Sequence, residues 1–339
     1  MTPIVLGLDI GGANIKAATS DGRAASVPFP LWKQPGELAG ALKSLATKFP
    51  DVATCAITMT GELCDCFRTK ADGVKHIIEA TQQALGADFS VYSVLGTFLK
   101  PAKAIDLWQH SAASNWHALA TFAGRYAHTG PGLLIDCGST TTDIIPLADG
   151  RPVAKGCTDM ARLKSGELVY TGVRRTPLCA LLPPGKTCAE LFATSQDAYV
   201  ALGFYPEEPT NIDTADGQPL TIINSETRLA RMLGGDANTV PLDEIQHLAR
   251  TVIRQQEALI LSASRKVYRY LCELHPEFVG VPISLICSGS GELLARVVAC
   301  HPPVQPERVV SLTGKLGAAL SECAPAYAVA ILAVEGAET

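Results

Sequence analysis

The chain has 339 residues, of which 47% are hydrophobic and 18% charged, with a formal net charge of -5. A chain of this length holds about two domains or lobes and buries enough surface to fold without disulfide or metal staples, and its composition excludes disorder, which needs low hydrophobicity and high net charge. The acidic balance argues against a basic nucleic-acid surface, and no apolar run approaches the roughly 18 residues of a membrane span.

In chain order, Ile4 to Asp9 reads as a short apolar strand and Asn14 to Thr19 as its hairpin partner across Gly11-Gly12. Glu37 to Phe49 has helical spacing, with Leu38, Leu42, Leu45 and Phe49 on one face. Val52 to Met59 is strand-like, Val74 to Leu85 a helix, Ser90 to Leu95 a strand, and Ala112 to Tyr126 a helix rich in small residues. The pattern then restarts. Gly132 to Asp136 is an apolar strand, Thr142 to Leu147 a returning strand, and Asp149-Gly150 a hairpin turn. A long helix over Leu242 to Leu274 follows a polar region. Ile283 to Cys287 is a strand, Val309 to Leu312 the last strand, and Ala326 to Val334 a terminal helix starting just after Pro325. Alternating strands and helices make this an α/β protein.

Three loops carry chemistry. In Leu8-Asp9-Ile10-Gly11-Gly12-Ala13-Asn14-Ile15-Lys16 an Asp ends a buried strand and a glycine turn leads into the next. Such a turn exposes adjacent backbone N–H groups to an oxyanion such as phosphate. The strand-end Asp suits Mg²⁺, directly or through water, and Lys16 adds a point charge. A plain hairpin with a solvated Asp is the alternative. The design returns in Asp136-Cys137-Gly138-Ser139-Thr140-Thr141-Thr142-Asp143, with Asp136 placed 127 positions after Asp9. Two such loops point to two lobes with related cores gripping a phosphate chain between them. The third, Ser288-Gly289-Ser290-Gly291-Glu292, joins a strand to a helix N-terminus and suits a nucleotide or another anion.

These three loops resemble the two phosphate motifs and the adenosine motif of the actin-like ATPase superfamily. Within it, Thr58-Met59-Thr60-Gly61-Glu62-Leu63, Ser114-Asn115-Trp116-His117-Ala118, Arg162 through Gly172 and Arg174-Arg175-Thr176-Pro177 are similar to the hydantoinase/oxoprolinase-related group linked to the tetrahydromethanopterin one-carbon pathway. Ala215-Asp216-Gly217 and Arg228 through Met232 extend the likeness along nearly the whole chain. The resemblance implies a two-lobe actin-like (ribonuclease H-like) fold with a central phosphate-binding cleft. Its lobes would be 1–129, joined by the C-terminal helix 325–339, and 130–324. It also implies a transferase of methanofuran assembly, which joins a furfuryl pyrophosphate to the phenol oxygen of a tyramine-type substrate with loss of pyrophosphate.

On this reading Asp9 and Asp136 hold Mg²⁺, and Glu62 is the first candidate for general base with Asp143 the second. Gly11, Gly12, Asn14, Lys16, Gly138, Ser139, Thr140, Thr141, Thr142, Ser288, Gly289, Ser290 and Gly291 line the phosphate or nucleotide site. Arg174 and Arg175 suit a bidentate grip on an anionic substrate, and Asp159, with Glu167 near it, suits Mg²⁺ or a substrate amine. Solvated surface charge is the alternative for the arginines, and local capping of N–H groups for Glu62. His117 reads as packing.

Two further functions compete. One is an ATP-dependent kinase or oxoprolinase-type hydrolase, with ATP as cofactor. Sugar kinases of the superfamily commonly place an Asp base beside the helix that begins here near Ser114-Asn115-Trp116, and no Asp occurs there. The other is a nucleotide-switched scaffold without catalysis. The 11 cysteines stand singly apart from Cys64-Asp65-Cys66 and read as reduced thiols. With no signal peptide at Met1-Thr2-Pro3-Ile4-Val5, the expectation is a cytoplasmic protein. Its partners are small molecules bearing a pyrophosphate or phosphate group, with no nucleic acid and no membrane. A homodimer is compatible with the sequence.

Overall fold

Val5–Ile10 (β1) is buried along its whole length, as a central strand covered on both faces must be. In the computed structural model, which describes residues 3–183, 185–301 and 306–337, β1 turns into Asn14–Thr19 (β2), and the antiparallel register sets Asp9 opposite Lys16. Ala24–Pro28 (β3) pairs with β2. Thr54–Met59 (β4) and Phe89–Tyr92 (β5) add in parallel on the other side, and Phe98–Leu99 (β6) closes the edge. The order is β3-β2-β1-β4-β5-β6.

The second sheet repeats this plan. Pro131–Cys137 (β7) and Thr142–Ala148 (β8) form its central hairpin, with Arg151–Pro152 (β9) and Leu168–Val169 (β10) on β8. Ile283–Ser288 (β11) and Pro306–Ser311 (β12) run parallel beyond β7, giving β10-β8-β7-β11-β12. The register sets Asp136 opposite Asp143, as Asp9 stands opposite Lys16. The two turns close alike. Gly11 N–H donates to the Asn14 carbonyl at 3.0 Å, and Gly138 N–H donates to the Thr141 carbonyl at 2.8 Å.

One helix, Asn115–Ala123, lies between the sheets. Its Ala118 and Phe122 pack with Val5, Ala56 and Tyr92 of the first sheet. Its Trp116, Leu119, Ala120 and Ala123 pack with Leu134, Ile145, Leu147 and Ile286 of the second. The outer faces are covered by the helices Leu38–Ala46 and Lys70–Leu85 on one side and by the long helix Leu242–Leu274 on the other, through Ile260 and Val267. No helix among the described residues is long and apolar enough to cross a membrane.

The fold differs from the sequence reading in places with local causes. The central helix is shorter than Ala112 to Tyr126, because Ala113 takes a left-handed φ of 47° and Gly124 opens a tighter turn. The helix expected from Val74 starts at Lys70, where Thr69 and Asp72 form a reciprocal capping box. The last strand ends at Ser311, whose hydroxyl accepts the Gly314 N–H and caps a new helix at Leu312.

The terminal helix, Ala324–Ala337, packs on β1, β2, β4 and the central helix. It reaches β1 because Gly7 has no side chain. A Cβ there would stand 1.9 Å from the Ala326 carbonyl oxygen and 2.9 Å from the Ala330 nitrogen. Gly7→Ala should therefore destabilise the protein by at least about 2 kcal/mol through overpacking, and hydrogen exchange should quicken in 324–337. Gly40→Ala, on an exposed helix position with open space around it, should stabilise by roughly 0.5–1 kcal/mol. Denaturant unfolding of both variants checks the pair.

Candidate active site

Side chains alternate along a strand. Asp9 therefore shares the face of Val5 and Gly7, and Asp136 that of Leu134, the two faces that flank the central helix. Both aspartates end central strands and point into the seam between the sheets. Burial is the main force on each. It pushes Asp9 up to about 6, with Lys16 opposing and Asp143 reinforcing the rise. Asp136 keeps some contact with solvent, yet burial and the neighbouring Asp143 carry it to about 6 as well. Lys16 and Asp9 also act on Asp136, so the four strand-end groups share one electrostatic neighbourhood. Asp9 Oδ1 is buried without a hydrogen-bond partner.

Around them, the backbone N–H groups of Gly12, Ala13, Ser139 and Thr140 find no acceptor in the described residues. The third loop closes on the second. Gly291 N–H donates to the Cys137 carbonyl at 2.8 Å, and a Cβ on Gly289 would lie 2.7 Å from Asp136 Oδ1. Ser288 is fully buried, and its hydroxyl lies beside the Asp136 carboxyl, where it favours the charged form against burial. Thr142 is committed to structure, donating to the Thr171 carbonyl at 2.7 Å.

Asp143 is held by Arg162, whose Nη2 donates to its Oδ1 at 2.6 Å. The Arg162 guanidinium lies 4.1 Å from the Trp116 ring centroid and also donates to the Glu167 carbonyl. Glu62 is 1% exposed. Burial pushes its carboxyl up to about 7, with Lys70 pulling it down and Asp159 pushing it up. Its Oε2 has no partner, and its Oε1 lies 3.8 Å from Lys70 Nζ. Lys70 Nζ in turn donates to Asp159 Oδ2 at 2.5 Å. The helix that carries Lys70 seats against the Glu62 turn through Gly73, where a Cβ would lie 2.3 Å from the Glu62 carbonyl oxygen.

The structure thus brings Asp9, Lys16, Asp136 and Asp143 together, and joins Glu62 to Asp159 through Lys70. It gives Arg174 and Arg175 other partners. Arg174 forms a bidentate pair with Glu208, Arg175 pairs with Asp213 at 2.8 Å, and both backbone N–H groups donate to the Ser139 carbonyl. They brace the second loop by their main chain. Glu167 is spent on the Gly156 N–H and the Ser165 hydroxyl. His117 accepts or donates at Tyr92 Oη, 3.0 Å away, and is pulled down to about 4 by burial, as a packed ring is. Lys70 and Arg162 are the partners that sequence reasoning missed. Only the capping box before Lys70 marked its place on a first turn.

Among the described residues no three metal-ligating side chains are preassembled. The site therefore offers a cation two strand-end carboxylates, one with a free buried oxygen. That suits Mg²⁺, which keeps several waters and takes one or two carboxylates.

Two like sheets around a shared helix, with paired Asp-glycine hairpins at their ends, define an α/β protein of the actin-like ATPase fold. A nucleotide-free acetone carboxylase superposes with a TM-score of 0.56 at 12% identity, over 97% of this chain and 70% of that one. The chain belongs to the hydantoinase/oxoprolinase family, whose model matches residues 53–332. A protein of Methanocaldococcus jannaschii named (4-{4-[2-(gamma-L-glutamylamino)ethyl]phenoxymethyl}furan-2-yl)methanamine synthase is 32% identical over 98% of both chains. One of the same name from Methanococcus vannielii is 31% identical, over 59% of this chain and 89% of that one.

The raised carboxyls fix a pH prediction. A carboxyl whose folded pKa exceeds its unfolded value gives stability that is full below about pH 4 and lost as pH rises through about 6. At pH 7.5 without divalent cations, Asp9→Asn and Asp136→Asn should each gain stability, on the order of 1–2 kcal/mol. Near pH 4 the gain should vanish. Adding Mg²⁺ should stabilise the wild type but not the double variant. Thermal melts across pH, with and without Mg²⁺, measure all three.

Proposed function

We propose that the protein is a transferase of methanofuran-type cofactor biosynthesis, serving tetrahydromethanopterin-linked one-carbon metabolism. It joins a furfuryl pyrophosphate to a tyramine-type phenol with loss of pyrophosphate. The observation that carries this reading is the end-to-end match to a synthase whose named product contains a phenoxymethyl-furan ether. The lobes proposed for it are 1–129 with 325–339, and 130–324.

The site supplies groups for each part of the reaction. The phenol gives its proton to the free Oε2 of Glu62, whose pKa of about 7 matches a base working near neutrality. The phenolate oxygen attacks the furfuryl methylene carbon. The bond from that carbon to the pyrophosphate oxygen breaks, and its electron pair leaves with pyrophosphate. The free N–H groups of Gly12, Ala13, Ser139 and Thr140, together with Lys16, take up the charge that develops. Mg²⁺ on Asp9 and Asp136 would add positive charge at the leaving group.

Pyrophosphate release from a furfuryl pyrophosphate with a tyramine-type phenol tests the reading. Asp9→Asn and Asp136→Asn should each lower kcat by about 10²–10³ while the fold persists. Glu62→Gln should lower it by about 10²–10⁴. In the wild type, kcat/KM should rise with pH through about 7 as Glu62 ionises. Phosphate release from ATP with no need for a pyrophosphate ester would move the protein to the kinase or hydrolase class.

A further inference from the structure

The short helix Asp159–Ser165 comes from the second sheet's connections, between β9 and β10. It presents two residues at i and i+3, which share a helix face. Asp159 meets Lys70 at 2.5 Å, and Arg162 meets Asp143 at 2.6 Å. The helix therefore ties the strand-end aspartates to the helix Lys70–Leu85 of the other sheet. Lys70 sits on the first turn of that helix, and its ammonium stands between Asp159 and the buried Glu62. The position is rigid, because Gly73 locks the same turn onto the Glu62 backbone.

We propose that Lys70 is a positioning residue for Glu62, with Asp159 as its anchor and its competitor. The ammonium holds the Glu62 carboxylate in the seam and favours its charged form, and Asp159 sets how much of that cation Glu62 receives. The inference deepens the reading above, since it rests on Glu62 as the base. The charged and titratable groups around Glu62 are Lys70, Asp159, Tyr170 and, on its own turn, Cys64. Lys70 is the one cation among them.

Opposite charges on either side of one ammonium give opposite tests. The Glu62 midpoint is read by carbon NMR on the full chain labelled at glutamate side-chain carboxyls and assigned with Glu62→Gln. Pyrophosphate release against pH runs in parallel. Lys70→Met should raise the midpoint by about one pH unit or more. Turnover at pH 7 should fall about fivefold for a one-unit rise and recover above pH 9. Lys70→Arg should restore both. Asp159→Asn should lower the midpoint, because it removes a like charge and frees Lys70 for Glu62.

A purely structural role for Lys70 would lose turnover at every pH alike. Unmoved midpoints, or shifts of the same sign in Lys70→Met and Asp159→Asn, would overturn the inference. Glu62→Gln that keeps full turnover would instead remove Glu62 as the base, and the functional reading with it.

Discussion

Everything in this structure hangs on a helix of nine residues, Asn115–Ala123, shared by two sheets. A helix between two apolar faces must be apolar nearly all round, and this one is, with six buried residues among the nine. It keeps both central hairpins at one level, so that two aspartates 127 positions apart in sequence end in one seam. It also supplies the ring of Trp116, on which Arg162 lies. The helix that spaces the sheets therefore also supports the cation that neutralises Asp143.

The cost of that arrangement is electrostatic. Carboxyls taken out of water favour their neutral form, and Asp9, Glu62, Asp136 and Asp143 are all raised by burial. The protein leaves this partly unrelieved. Asp143 has Arg162 in direct contact, whereas Asp9 and Glu62 each keep one oxygen with no partner. Groups held in that state gain most from a ligand: a cation at Asp9, a proton donor at Glu62. The sites of greatest strain are the sites proposed for chemistry, as the general tie between perturbed acids and function leads one to expect.

The parts legible in the sequence were those fixed by local pattern. The strand-Asp-glycine hairpins announced themselves twice, and the long helix Leu242–Leu274 was read to the residue. What escaped was decided by tertiary contact. β3 is a run of small residues whose strand character comes from pairing with β2. The break at Ala113 is a left-handed backbone in a residue that gives no sign of it. The acidic partners of Arg174 and Arg175 are equally hidden in the sequence, because only the fold sets Glu208 and Asp213 opposite them. Lys70 and Asp159 are 89 positions apart, and only the fold joins them.

The two hairpins agree in strand order, turn closure and the place of the first aspartate, yet they differ at the position facing it. In the first sheet that position is Lys16, and in the second it is Asp143. One hairpin is thus nearly neutral by itself, and the other carries two acids that need Arg162 from outside the hairpin. A seam built from identical hairpins would present like charge on both sides and have no preferred direction. The exchange of a lysine for an aspartate gives it one. An anion entering the seam meets bare N–H groups on both turns but a cation on only one of them. The acid on the other side, neutralised through the helix Asp159–Ser165, is connected by that helix to Lys70 and so to Glu62. The asymmetry between the side that offers a cation and the side linked through Lys70 to Glu62 is therefore written at one pair of equivalent positions, Lys16 and Asp143, while the rest of the two hairpins is built alike.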